Sequence, residues 1–183
     1  MGKIICTLNV TLDGFQDRMP EWHFEYMHGQ AAELAGEILE PAAALLMGRH
    51  TYESFASVWP TRSGDPFSDK FNAMRKYVVS STLTDPEWNN TVVVGADPVA
   101  EIERIKSETA GDIVMYGYGP VARLLLANGL LDELKFWIHP VLLGGPATPE
   151  QLVYNEASSK AVLQVVDHRL LDSGILVTTV VPA

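Results

Sequence analysis

A chain of 183 residues with 47% hydrophobic, 20% charged and 9% aromatic content has a globular composition, neither disordered nor collagen-like. Thirteen Lys and Arg against 23 Asp and Glu leave a net charge of −10 with no basic cluster, which excludes the phosphate-neutralising stripe that nucleic-acid binding requires. An anionic ligand has to be held by a few local residues against an unfavourable overall field.

This length predicts one domain, 1–183, that folds without disulfide staples. The single cysteine, Cys6, lies in an apolar run and reads as an inert buried thiol, in keeping with a reducing cytoplasm. No apolar run approaches the ~18 to 20 residues of a membrane span, and the first residues lack a secretory h-region. Met1-Gly2 is followed by Cys6 where a myristoylation signal wants Ser or Thr. A soluble cytoplasmic protein is predicted, with no membrane or nucleic-acid partner.

Along the chain, residues 3–10 are β-rich and end at Leu12-Asp13-Gly14, a turn signature. Residues 28–39 predict a helix with Ala31, Leu34, Ala35, Ile38 and Leu39 on one stripe and Pro41 beyond its end. A short strand is predicted at 42–47 and a helix at 49–58. Residues 59–76, with Pro60, Gly64 and Pro66, predict a flexible flap beside a site. Strands follow at 77–79 and 92–94. Asp97-Pro98 then opens a helix, with an acid at the N-cap and proline at the first helical position, that stops near Gly111. A strand at 113–116, a helix at 120–128 closed by Gly129 and a strand at 134–142 come next. The tail predicts a hairpin, 162–166 and 175–181, joined through Leu171-Asp172-Ser173-Gly174. The alternation predicts an α/β fold with a mostly parallel sheet, helices on both faces and an antiparallel hairpin at one edge.

Three segments carry candidate chemistry. Gly48-Arg49-His50-Thr51 puts a strand through glycine into a helix whose first turn holds cations, against the helix dipole. Either an anion bound there reverses the penalty, or Arg49 bends back to Glu53. Tyr116-Gly117-Tyr118-Gly119-Pro120-Val121-Ala122 formally matches the dinucleotide fingerprint, but the acid expected about 20 residues on is missing, which disfavours a plain Rossmann domain. Ser80, Ser81 and Thr82 could hold a phosphate or cap a turn. All three would lie at C-terminal strand ends, the edge where open α/β sheets bind ligands. The five histidines and one cysteine show no metal-ligand spacing, so no metal is expected. His139, before Pro140, reads as structural.

The ordered set LDGF from Leu12, LMGRHTYESF from Leu46, KYVVSSTL from Lys76, DIVMYGYGPVARLLL from Asp112 and LLDELKFWIHPVLLG from Leu130 resembles the dihydrofolate-reductase-like superfamily. That superfamily includes the C-terminal reductase domain of the riboflavin-pathway protein RibD, and the resemblance covers nearly the whole chain. It implies an NADPH-dependent reductase of a small nitrogen heterocycle. The implied substrate is dihydrofolate- or pteridine-like, or similar to 5-amino-6-(5-phosphoribosylamino)uracil. By matching position, Arg49 and Ser81 would hold the 2′-phosphate, with His50 and Thr51 at the pyrophosphate. Gly117, Tyr118, Gly119, Pro120 and Val121 would cover it from a second helix start, and Gly48, Ser80 and Thr82 complete the cofactor set. Asp13 and Glu33 are the implied catalytic residues on the substrate side. Phe15 stands where riboflavin-pathway reductases usually carry lysine, and 144–149 also departs from their pattern, which implies a stand-alone relative with a changed substrate. The resemblance further implies a homodimer. Two other readings are a non-catalytic NADP(H)- or pterin-binding protein and an interaction domain with a vestigial pocket.

Overall fold

The computed structural model describes residues 2–155 and 158–183; Met1 of the Met1-Gly2 start lies outside them. The chain runs β1 (Ile4–Thr11), α1 (Gln30–Leu39), β2 (Ala42–Gly48), α2 (Arg49–Ala56), α3 (Pro66–Ala73), β3 (Arg75–Val79) and β4 (Thr91–Val94). It continues through α4 (Pro98–Glu108), β5 (Asp112–Tyr116), α5 (Pro120–Ala127), β6 (Glu133–His139), β7 (Leu163–Leu170) and β8 (Leu176–Pro182). The strands form one sheet in the order β4-β3-β2-β5-β1-β6-β8-β7. Every pair from β4 to β6 is parallel, and β8 and β7 join antiparallel at the far edge. The predicted fold class is the observed one.

Period-two alternation gives the sheet two faces, each with its own core. Ile4, Cys6, Leu8 and Val10 face α4 and α5, packing with Ile102, Ile105, Ala122 and Leu125. The other face carries Leu45 and Met47 of β2, Val114 of β5 and Trp137 of β6 against Leu34 and Ile38 of α1, Tyr52 of α2 and Phe71 of α3. Central parallel strands covered on both sides need such continuous apolar runs. Burial pushes the Cys6 thiol up to about 12, so it is inert as expected.

The predicted flap at 59–76 is ordered structure instead. It holds a 3-10 turn at Trp59–Thr61, then α3, then the start of β3. The missed signal is Asp65-Pro66, the same cap-and-proline pair that marks α4. The Asp65 carboxylate accepts from the Ser68 N–H at 2.9 Å, and Phe71 packs its ring 4.4 Å from Trp59. The helix expected from residue 28 begins at Gln30, because Gly29 with φ of +50° stands outside helical geometry. The strand expected to reach 142 ends at His139, because Pro140 has no N–H for the ladder. The first tail strand runs on to Leu170, its register shifting between Val165 and Asp167. Among the described residues no helix is long and apolar enough to cross a membrane.

Candidate functional site

The chain leaves β2 through α2 on one face of the sheet and leaves the neighbouring β5 through α5 on the other. Where adjacent parallel strands send their chains to opposite faces, their C-terminal ends open a crevice, and ligands of open α/β sheets bind there. Gly48 ends β2 and caps α2; Gly117 and Gly119 join β5 to α5.

Both helices start without a side-chain cap and without an acid in the first turn. By contrast, α3 and α4 are capped by Asp65 and Asp97, and each carries an acid in its first turn. A helix start leaves its first N–H groups unpaired and carries about half a positive charge, so two bare starts at one crevice form an anion cradle. Space exists for the anion. A Cβ placed on Gly117 or Gly119 would meet nothing within 4 Å, and Gly117 sits at φ +80°, which its turn requires. Gly48 is glycine for a different reason, since a Cβ there would come within 3.3 Å of Val121 Cγ2.

β3 lies beside β2, with Val79 opposite Gly48, so the turn after β3 borders the start of α2. Arg49 is exposed there and uses its guanidinium both ways: Nη1 donates to Thr82 Oγ1 at 3.1 Å, and Nε lies 3.5 Å from Glu53 Oε1. Ser80 takes the turn-capping role, its hydroxyl accepting from the N–H groups of Thr82 at 3.1 Å and Leu83 at 2.9 Å. Ser81 and His50 are exposed and Thr51 half-buried. The structure thus gathers Gly48 to Thr51, Ser80 to Thr82 and Gly117 to Val121 at one edge.

The two residues expected on the substrate side are not brought together. Asp13 accepts from Thr11 Oγ1 at 2.6 Å and from the backbone N–H groups of Leu143 at 3.1 Å and Gly144 at 2.7 Å. Partial desolvation works to raise its carboxyl pKa, but these bonds outweigh it and hold the group below the ordinary value. Asp13 anchors the loop after β6. Glu33 is exposed and shares its helical stripe with Gln30 and Glu37, which meet Asp172 and Arg169 of the β7–β8 hairpin. No contact joins it to the crevice residues, so the proton role expected for it has no geometric support.

Gln16 is the residue that sequence reasoning missed. Its carbonyl accepts from the Tyr118 N–H at 2.9 Å, and its amide donates to the carbonyls of Tyr118 and Leu152, each at 3.2 Å. It fixes the turn from β5 into α5 from a distance of 102 residues along the chain, which no local pattern signals.

The C-terminal ends of β1 and β6 are closed by two 3-10 turns, Met19–Glu21 and Phe24–Tyr26. His23 between them places Nδ1 3.3 Å from Nε2 of His139, whose Nδ1 lies 3.0 Å from the Trp137 carbonyl. The geometry requires His139 to donate from Nδ1 to that carbonyl and to accept from His23 at Nε2. The rings of Trp22 and Tyr26 stand edge-on to His139, and Phe24 edge-on to His23. Burial, with the neighbouring His139, lowers His23 to about 4, and burial lowers His139 despite its backbone bonds.

Both folded-state values lie below the unfolded one. As pH falls from about 6.5, the unfolded chain therefore gains protons that the folded chain refuses, and stability drops until the folded groups titrate. For His23 the shift from 6.5 to about 4 corresponds to roughly 3 kcal/mol at 1.36 kcal/mol per unit. Urea unfolding at pH 7 and pH 4 should show His23→Phe losing less stability across that interval than the parent. An equal loss in both would remove His23 from the acid response.

The family model described as the RibD C-terminal domain matches residues 2–177. The uncharacterised protein YyaP of Bacillus subtilis (strain 168) is 25% identical over 189 residues, spanning 95% of this chain and 92% of that protein. Among solved structures, a candidate riboflavin biosynthesis protein from Shewanella sp. PV-4 superposes with a TM-score of 0.74 at 19% identity, covering 99% of each chain. Dihydrofolate reductase from Enterococcus faecalis, complexed with NADP(H) and RAB-propyl, superposes at 0.65 with 16% identity over 99% of this chain and 96% of that one.

Proposed function

This chain belongs to the RibD C-terminal domain family, and from that premise we propose that it is an NADPH-dependent reductase of a small nitrogen heterocycle, pteridine-like or aminouracil-like. The observation that carries the reading is the pair of uncapped helix starts at the β2/β5 crevice, with the Arg49 guanidinium beside Thr82 at its rim. When bound, NADPH would supply the hydride. Arg49, Ser81 and Thr82 hold the 2′-phosphate. The first-turn N–H groups of α2, at His50 and Thr51, and of α5, at Val121, face the diphosphate. Gly117 and Gly119 let it approach the backbone, while Gly48, Tyr118 and Pro120 shape the two turns. Ser80 and Gln16 keep those turns in place, and Asp13 positions the loop after β6. A soluble cytoplasmic homodimer of a single domain goes with this reading.

No buried acid stands ready to protonate a substrate on the segment before and along α1: Asp17, Glu21, Glu25, Glu33, Glu37 and Glu40 are all exposed. The proton in this reading comes from water. The same observation favours the second reading, a binder of NADP(H) that performs no reduction.

Titration of the purified protein with NADPH and NADH, followed by tryptophan quenching, tests the cofactor assignment. NADPH should bind about tenfold or more tighter, the value of a charge-assisted contact. Equal affinities would overturn the 2′-phosphate pocket. NADPH oxidation across a panel of pteridines and aminopyrimidines then separates the two readings, since saturable binding without oxidation marks the non-catalytic binder.

A further inference from the structure

Three buried side-chain atoms have no hydrogen-bond partner among the described residues: Asn9 Oδ1, Trp137 Nε1 and Ser173 Oγ. An orphaned buried polar atom is uncommon and costly, so each calls for an explanation. Ser173 lies in the turn between β7 and β8. The other two are register partners on β1 and β6, so their side chains leave the sheet on the same face, side by side. That face is the one covered by α1, where Trp137 packs at 3% exposure while Asn9 stays partly open.

Their position ties them to the crevice. Thr7, two residues before Asn9, pairs with Tyr116, and its carbonyl accepts from the Gly117 N–H at 3.0 Å. Asn9 therefore borders the glycine turn that leads into α5. A ring seated against Asn9 and Trp137 would lie next to whatever that turn holds.

The chemistry of the pair is restrictive. An indole N–H only donates, so the ligand must present an acceptor to Trp137. Asn9 Oδ1 only accepts, so the ligand must present a donor beside it. Resting on the reductase reading above, we propose that Asn9 and Trp137 recognise a lactam edge of the substrate, a ring carbonyl with a ring N–H next to it. The carbonyl oxygen takes the indole hydrogen bond, and the ring N–H donates to the Asn9 carboxamide. This edge is present in oxo-pteridines and in uracils, and a heterocycle alkylated at that nitrogen lacks it. These two side chains thus set specificity rather than move protons.

The test uses the full chain, with and without saturating NADP+, so that no hydride is transferred. Pterin, 5-aminouracil and 1,3-dimethyl-5-aminouracil are titrated into the parent, Trp137→Phe and Asn9→Leu. The parent should bind pterin or 5-aminouracil and bind the dimethyl compound about tenfold or more weakly, because a buried acceptor is then left unpaired. Each substitution should weaken the unmethylated ligands by about tenfold while NADP+ affinity stays unchanged. In the parent, the indole N–H resonance that disappears in Trp137→Phe should move downfield on saturation with pterin or 5-aminouracil, a readout that does not depend on the variant's stability. Failure of both unmethylated ligands to bind, equal affinity for the methylated one, unaltered affinity in both variants, or an indole resonance that stays put would each overturn the proposal. Loss of NADP+ binding in the parent would instead overturn the cofactor reading, and the titrations without NADP+ keep that outcome separate.

Discussion

Arg49→Ala is expected to weaken NADPH binding about ten- to a hundredfold while leaving NADH binding within about threefold, the loss of a charge-assisted contact to the one phosphate the two cofactors do not share. The structure also fixes what should happen to stability. Arg49 sits in the first turn of α2, where a cation opposes the helix dipole at about 0.3 to 1 kcal/mol. Its ion pair with Glu53 is half exposed on both sides and contributes little in return. The variant should therefore melt at or slightly above the parent's temperature. That combination, weaker binding with equal or better stability, separates a ligand contact from a structural one. Parallel titrations with the two cofactors and a thermal melt read both quantities, and an equal loss for NADPH and NADH would place Arg49 elsewhere on the ligand.

Gly117→Ala carries the second large effect. An L-residue in the left-handed region costs about 1 to 2 kcal/mol, and Gly117 stands at φ +80°. The added methyl also enters the open space between the two helix starts, where overpacking against a bound diphosphate should cost a further tenfold to about a hundredfold in NADPH affinity. Gly64 supplies the control. It stands at φ +90°, also with nothing within 4 Å of an added Cβ, but it precedes α3 and belongs to none of the three segments gathered at the crevice. Gly64→Ala should show a similar loss in urea stability and unchanged NADPH binding. If the two variants bind NADPH alike, the space above Gly117 is not where the cofactor lies.

What the sequence made legible was mostly local. Alternating apolar runs, the Asp97-Pro98 cap and glycines after strands located the sheet, the helices and the crevice edge, because each of those signals is written within a few residues. The equivalent cap at Asp65-Pro66 was hidden among prolines and glycines that suggested a loop. Contacts between distant segments left no trace. Gln16 holds the Tyr118 backbone, and Asp13 holds Leu143 and Gly144, across more than a hundred residues. Motif matching could place Asp13 at a site but not say that its oxygens were already occupied by a loop. It placed Glu33 on α1, but which way a stripe faces depends on what the helix packs against, here the β7–β8 hairpin. Asn9 and Trp137 gave no signal, since an unpaired atom is visible only after everything around it has been placed.

The middle position of β1 has a consequence for synthesis. Both of its neighbours lie far downstream, Ile4 to Thr7 pairing with Ile113 to Tyr116, and Ile5 to Thr11 with Glu133 to His139. β2, β3 and β4 can assemble among themselves from nearby residues, and β7 with β8 as a hairpin, but β1, made before its partners, must wait for β5 and β6. At roughly 5 to 20 residues per second that wait lasts on the order of ten seconds, with the segment Ile4-Ile5-Cys6-Thr7-Leu8 exposed throughout. The centre of the sheet thus closes only after β6 has emerged, and the nascent chain is open to mispairing and to chaperone capture at β1 until then.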